Sequence, residues 1–308
     1  MSAVVRWDKV MAGLGPCVAA LGVFDGVHIG HQALVRDAVV LARSTGSSAA
    51  VVTFDRDPDQ VVSPASAAPQ LLDLDDKLSF LSGLGADTVL VMPFTHGLAA
   101  TPPLVFLDEV LLDSMAPEAV VVGYDFRFGH RAEGDVDLLV RYGADHGFTV
   151  VAHELVRDGG EPVTSTRIRA LIAAGEVAEA SRLLGRPHRL QGVVIRGRGE
   201  GAEFDAPTAN LQVAPFAALP ADGVYAGRLA IDGITYPGGI SVGFPPSFPE
   251  AAADLEVHVI GFRGDLYGRT LTLEFVERLR EQRRFERAED LKAQIRLDLA
   301  DTVRLSGL

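Results

Sequence analysis

His28 and His31 lie three residues apart, with Gly30 between them, in the run Phe24-Asp25-Gly26-Val27-His28-Ile29-Gly30-His31. Two imidazoles at that spacing suit a ligand that carries several negative oxygens. Gly26 and Gly30 allow backbone to approach such a ligand, and a helix beginning behind them presents free N–H groups to it. A second set of anion-binding types is Val163-Thr164-Ser165-Thr166-Arg167-Ile168-Arg169. Ser165 and Thr166 offer hydroxyls and Arg169 a guanidinium at the start of an Ala/Leu/Ile-rich helix. Hydroxyls there also serve as ordinary N-caps. A third set is Tyr124-Asp125-Phe126-Arg127-Phe128-Gly129, where aromatics interleave with a carboxylate and a cation. That pattern suits a flat heterocycle with a phosphate attached, with Asp125 and Arg127 facing it and Phe126 or Phe128 packing inward.

An isolated H-x-G-H means little, so the elements around it decide. Residues 18–24, 49–54, 88–92, 119–123 and 148–152 are short apolar runs of strand type. Helix-like stretches at 31–45, 73–85, 102–115 and 135–146 alternate with them. This alternation predicts an α/β domain with a doubly wound parallel sheet, whose ligands bind beyond the carboxyl ends of the strands. The three sets above fall at such ends. After Leu184-Gly185-Arg186-Pro187, a glycine-then-proline helix stop, the pattern changes. Residues 190–195, 208–213, 224–231, 234–242, 255–262 and 270–276 read as strands, with Asp232-Gly233 as a hairpin turn. They predict a six-stranded antiparallel barrel. Leu291, Ile295, Leu299 and Val303 recur at helical spacing in the tail from Phe285. The expected domains are 1–186 and 187–308.

The chain has 308 residues and a net charge of -13, which argues against a general nucleic-acid partner. Its single cysteine, Cys17, excludes an internal disulfide and fits a reducing compartment. The first residues lack a signal-peptide layout, and the apolar run of 10–24 is shorter than the roughly 20 residues a membrane span needs. A soluble, cytoplasmic protein with no membrane partner is expected.

The run FDGVHIGHQ resembles the HxGH signature of the nucleotidyltransferase superfamily, in the form found in bacterial FAD synthetases. Further motifs make the resemblance one to the prokaryotic bifunctional riboflavin kinase/FMN adenylyltransferase family, over nearly the whole chain. Gly123–Gly129 resembles its GxDFxFG, and Ser165, Thr166 and Arg169 match its second phosphate-binding motif. In the barrel, Pro207-Thr208-Ala209-Asn210 resembles PTAN, and Asp265-Leu266-Tyr267-Gly268 matches DLYG. Departures are Arg56-Asp57 within the family's TFDPHP, Asp205-Ala206 where it reads GF before PTAN, and Ser247 for a threonine. Asp205 adds a negative charge beside a polyphosphate site.

The resemblance implies two reactions: riboflavin to FMN with ATP in the barrel, and FMN to FAD with a second ATP in the sheet domain. Both use Mg²⁺, so riboflavin, FMN, FAD and ATP are the expected partners. In the sheet domain His28 and His31 are the implied catalytic residues. Gly22, Phe24, Asp25, Gly26, Gly30, Asp125, Arg127, Ser165, Thr166 and Arg169 are the implied ATP and FMN contacts. The attacking FMN phosphate is already ionised, so the histidines stabilise charge and no strong base is required. In the barrel Gly201, Pro207, Thr208, Asn210 and Arg280 are the implied ATP and flavin contacts, with Thr208 and Asn210 also on the metal. A riboflavin hydroxyl needs its proton drawn off, and Glu256 is the implied base. Two alternatives are a barrel that only binds flavin or assists assembly, and a sheet domain that adenylylates another small phosphate.

Overall fold

The computed structural model describes residues 2–7, 16–196, 207–243 and 255–308. Contacts divide the chain into two units. One comprises Met1–Ala68 and Leu74–Thr164, the other Pro69–Asp73 and Ser165–Leu308.

The first unit is built on a parallel sheet of β1 (Ala3–Arg6), β2 (Cys17–Leu21), β3 (Ser48–Phe54), β4 (Thr88–Met92), β5 (Pro117–Gly123) and β6 (Thr149–His153). The strand order is β1-β4-β3-β2-β5-β6, with every pairing parallel. Every residue of β2 is buried, as an apolar run covered on both faces requires. Helix Ile29–Thr45 follows β2 and buries Leu34, Val35, Ala38 and Ala42. The chain steps from β2 through β3 to β4 on one side and then crosses to β5 on the other. The topological switch therefore lies between β2 and β5, where ligands of open α/β sheets bind. The sequence pattern gives five of these strands. The sixth, β1, is four residues long and mostly exposed at the sheet edge, so it carries no apolar signature.

A two-stranded ribbon, β7 (Arg157–Asp158) and β8 (Glu161–Pro162), ends the first unit. The second unit holds a closed barrel in the order β10-β13-β12-β11-β14-β9. Its strands are β9 (His188–Ile195), β10 (Ala209–Val213), β11 (Gly223–Ile231), β12 (Ile234–Val242), β13 (Leu255–Val259) and β14 (Thr270–Arg280). All six pairings are antiparallel, as expected from the spacing. Tyr225, Leu273 and Phe275 are fully buried in its core. The tail helix is Ala288–Ser306. Helices Ser165–Ala173 and Val177–Leu184 precede the sequence boundary at Arg186 yet group with the barrel, and Val177 joins its core.

Candidate functional sites

Gly22 and Val23 leave β2, and the next residues turn in an unusual way. Phe24, Gly26 and Val27 all have positive φ, at 56°, 77° and 39°. Only Gly26 adopts that region without cost; a buried phenylalanine and a β-branched valine there store strain of about 1–3 kcal/mol each. Such strain is characteristic of sites where side chains must be aimed. Asp25 and His28 are buried, and His31 is half-buried. The two imidazoles stack with centroids 3.6 Å apart, and Phe24 meets His31 edge-on at 5.3 Å. His28 is also the N-cap of helix Ile29–Thr45, its Nδ1 accepting from the His31 amide at 3.3 Å. A side-chain carbon at Gly30 would stand 3.1 Å from the His28 ring, and one at Gly22 3.0 Å from the Phe24 ring. Those glycines therefore make room for the aromatic rings.

Burial, with His28 and Lys77 alongside, holds His31 well below the ordinary imidazole range, so it is neutral at pH 7 in the free protein. Its Nδ1 is buried without a hydrogen-bond partner among the described residues. Lys77, on helix Leu74–Gly83, is itself buried, which pushes its pKa down from the ordinary lysine range, while Asp57, Asp25 and Asp55 oppose that shift. Sequence reasoning missed Lys77. The available signal was a lysine four residues before Leu81 on the buried stripe of its helix.

The loop after β5 emerges beside β2. Phe128 is buried, Phe126 is half-buried, and Asp125 and Arg127 are exposed. Arg127 lies 3.7 Å from Asp135. A cavity of about 740 Å³ opens here, lined by Phe54, Phe94, Phe106, Phe126 and Phe128, with Arg127 at its edge. Phe126 and Phe128 stack at 5.6 Å. This volume and aromatic wall suit a planar ring system.

Ser165 opens helix Ser165–Ala173, half-buried, with Thr166 exposed beside it. Arg169 donates from Nε to the Pro69 carbonyl at 2.7 Å. All three belong to the second unit.

On the barrel, register brings the second set together. Asn210 of β10 stands opposite Glu256 of β13. The Thr208 hydroxyl donates to Glu256 Oε2 at 3.2 Å. Hydroxyl and carboxylate oxygens thus meet from residues far apart in sequence, with Asn210 in register beside them. A cavity of about 220 Å³ lies alongside, lined by Pro207, Thr208 and His258 together with Asp265 and Tyr267 of the DLYG turn. Gly201, Asp205-Ala206 and Ser247 lie outside the described residues. Arg280 makes a bidentate ion pair with Asp298 of the tail helix, closest at 2.8 Å, with both side chains largely buried. It anchors that helix, whatever else it contacts.

The sheet unit thus carries a histidine pair at its switch point, and the barrel a hydroxyl–carboxylate pair. The FAD synthetase family matches residues 11–167, and the riboflavin kinase family matches residues 184–306. A bifunctional riboflavin kinase/FMN adenylyltransferase of Pseudomonas fluorescens is 39% identical over 285 residues, covering 92% of this chain and 91% of that protein. Its namesake in Escherichia coli K12 is 33% identical over 293 residues, covering 95% and 93%. A crystal structure named as a macrolide-efflux protein from Streptococcus pneumoniae superposes with a TM-score of 0.87 at 29% identity, covering 98% and 99%. The chain belongs to the bifunctional riboflavin kinase/FMN adenylyltransferase family, and is a transferase with both domains present.

Proposed function

We propose that the chain makes FMN from riboflavin at the Thr208–Glu256 cradle and FAD from FMN at the His28–His31 turn, with ATP as co-substrate at both. The observation that carries the first site is the stacked histidine pair on a strained turn beside an aromatic cavity. The flavin ring takes the cavity, with Asp125 and Arg127 at its rim. The ATP phosphates take the turn, where Gly22, Phe24, Asp25, Gly26 and Gly30 set the backbone; the assignment of Ser165, Thr166 and Arg169 to phosphate rests on the family motif they match. His31 is neutral before ATP arrives. A polyphosphate drawn against it raises its proton affinity, so the ring takes up a proton as ATP binds and stabilises the departing pyrophosphate.

In the barrel, Glu256 already accepts a hydrogen bond from a hydroxyl, that of Thr208. A riboflavin hydroxyl in the same place would pass its proton to that carboxylate as it attacks. Thr208 and Asn210 supply hard oxygens of the kind Mg²⁺ prefers; together with the nucleotide they would hold that ion, which would supply neutralisation of the phosphate charge. Pro207, Gly201 and Arg280 complete the assigned contacts. We place the catalytic domains at 1–186 and 187–308, in the cytoplasm; among the described residues no helix is long and apolar enough to cross a membrane. The name carried by the Streptococcus structure is not transferred, because both halves of this chain match flavin-enzyme families.

The test is incubation of the full chain with riboflavin, ATP and Mg²⁺, followed by chromatography of the flavins. FMN and then FAD are expected. FAD from supplied FMN but no FMN from riboflavin would leave the barrel as a flavin-binding module. No FAD from FMN would overturn the first site.

A further inference from the structure

Lys77 is 3% exposed, and its charge takes no part in the chemistry above. Its Nζ donates to the Phe54 carbonyl at 2.9 Å and to the Val23 carbonyl at 3.4 Å. Phe54 ends β3, and Val23 is the last residue before the strained turn. The Val23 carbonyl also accepts from the fully buried Thr53 hydroxyl at 3.0 Å. Two donors thus fix the carbonyl from which the turn departs, and one of them also fixes the neighbouring strand end.

Fold stability alone gives little reason for an ammonium at this place. A buried charge costs several kcal/mol unless it is compensated, and well-packed apolar replacements of buried ion pairs are often neutral or stabilising. The compensation here is local: Asp57 and Asp25 are buried, Asp55 is half-buried, and all three face Lys77, with Arg56 paired to Asp55 at 3.0 Å. On the other side, the groups whose charge acts on His31 are His28 and Lys77. The ammonium therefore interacts with both the carboxylates and His31.

We propose that Lys77 is a positioning residue of the adenylyltransferase site, joining the carboxyl ends of β2 and β3 so that the 24–28 turn aims His28 and His31, and placing a fixed positive charge against His31. Lys77 need not touch substrate. This rests on reading the first unit as the FMN adenylyltransferase, and the kinase in the same chain gives an independent check on folding.

The experiment compares the full-length wild type with Lys77→Met, which removes donors and charge, and Lys77→Gln, which keeps a donor and removes the charge. FMN adenylylation is followed from pH 5 to 9, and riboflavin phosphorylation is assayed alongside. Misaiming the histidines by about 1 Å lowers kcat for FAD formation on the order of 100-fold in Lys77→Met, with phosphorylation within about twofold of wild type. Removing the positive charge lets His31 bind a proton more readily, and the protonated ring is the form assigned to the pyrophosphate, so the alkaline limb of the adenylylation profile moves to higher pH in both variants. A residue that merely fills space would leave that limb where it is. Adenylylation within about threefold of wild type in Lys77→Met would overturn the proposal, as would a loss with an unmoved limb. Loss of both activities in both variants would assign Lys77 to stability instead. Wild type that makes no FAD from FMN would strike the reading of the site itself, a separate outcome.

Discussion

In the sheet unit, Asp25, His28 and Lys77 are buried around a turn with three residues at positive φ. In the barrel, Thr208 and Glu256 are half-buried and meet across a regular strand ladder. The first arrangement opposes folding through strain and desolvation, and it exists because the surrounding sheet over-determines it. The second asks little of the fold beyond correct register. Changes at the turn should therefore move stability and activity together, whereas changes at the cradle should move activity alone.

The largest effect tests the cradle. Glu256→Gln keeps shape and hydrogen bonding but removes the base, and is expected to lower FMN formation by about 10²–10⁴-fold. FAD formation from supplied FMN should be unchanged, and stability should hold within about 0.5 kcal/mol. A large shift in the unfolding midpoint would break the comparison, because Glu256 would then be supporting the barrel.

His31→Ala comes next. It removes one stabilising partner of the ATP phosphates, at an expected cost of about 10²–10³-fold in FAD formation, with riboflavin phosphorylation intact. Full FAD formation by this variant would remove His31 from the site.

How far the sequence reaches is set by how local each feature is. The histidine pair is legible because glycine, imidazoles and helix start are contiguous between Phe24 and His31. The six barrel strands are legible because turns punctuate them at short intervals. Lys77 is not legible as a site residue, since its role depends on the carbonyls of Val23 and Phe54, 54 and 23 positions away. Arg280 reads from its motif as a flavin contact, yet its ion pair with Asp298 spans 18 positions and appears only once the tail helix has docked. The helices between Ser165 and Leu184 read as the end of the sheet domain by continuity of pattern. Their apolar faces alone do not say which core they cover.

A third prediction uses a buried histidine that has no assigned site. In the barrel, His188 Nε2 donates to the Ala218 carbonyl at 2.9 Å, and its ring stacks on Phe275 at 5.8 Å. Burial, with Arg186 nearby, pushes its pKa down to about 4 from an ordinary 6.5. Unfolded, His188 takes up a proton below about pH 6.5; folded, it does so only near pH 4. The unfolded chain thus binds more protons between those limits. Stability is intact above pH 6.5 and falls as pH drops toward 4, by at most about 3 kcal/mol. Urea midpoints at pH 7 and pH 4.5, followed by hydrogen exchange of the barrel strands, should show this fall in wild type and a smaller one in His188→Gln. An equal fall in both would assign the acid sensitivity of the barrel to other groups.

The smallest effect separates the two roles of His28. Its Nδ1 caps helix Ile29–Thr45 by accepting from the His31 amide, while its ring stacks on His31 and is assigned to the ATP phosphates. An asparagine at an N-cap position performs the first task and not the second, whereas alanine performs neither. His28→Asn and His28→Ala should therefore lose FAD formation to a similar degree. The alanine variant should in addition be less stable by about 1 kcal/mol, a typical value for loss of an N-cap. Chemical unfolding of the sheet unit measures that difference, and chromatography of the flavins measures the activity. Equal stability would mean that the 3.3 Å bond contributes nothing as a cap and that His28 is held there by its stack alone. FAD formation retained in His28→Asn would mean that a polar cap, not an imidazole, is what the phosphates require. The turn would then resemble the barrel cradle, a site built from hydrogen-bonding groups without a buried ring.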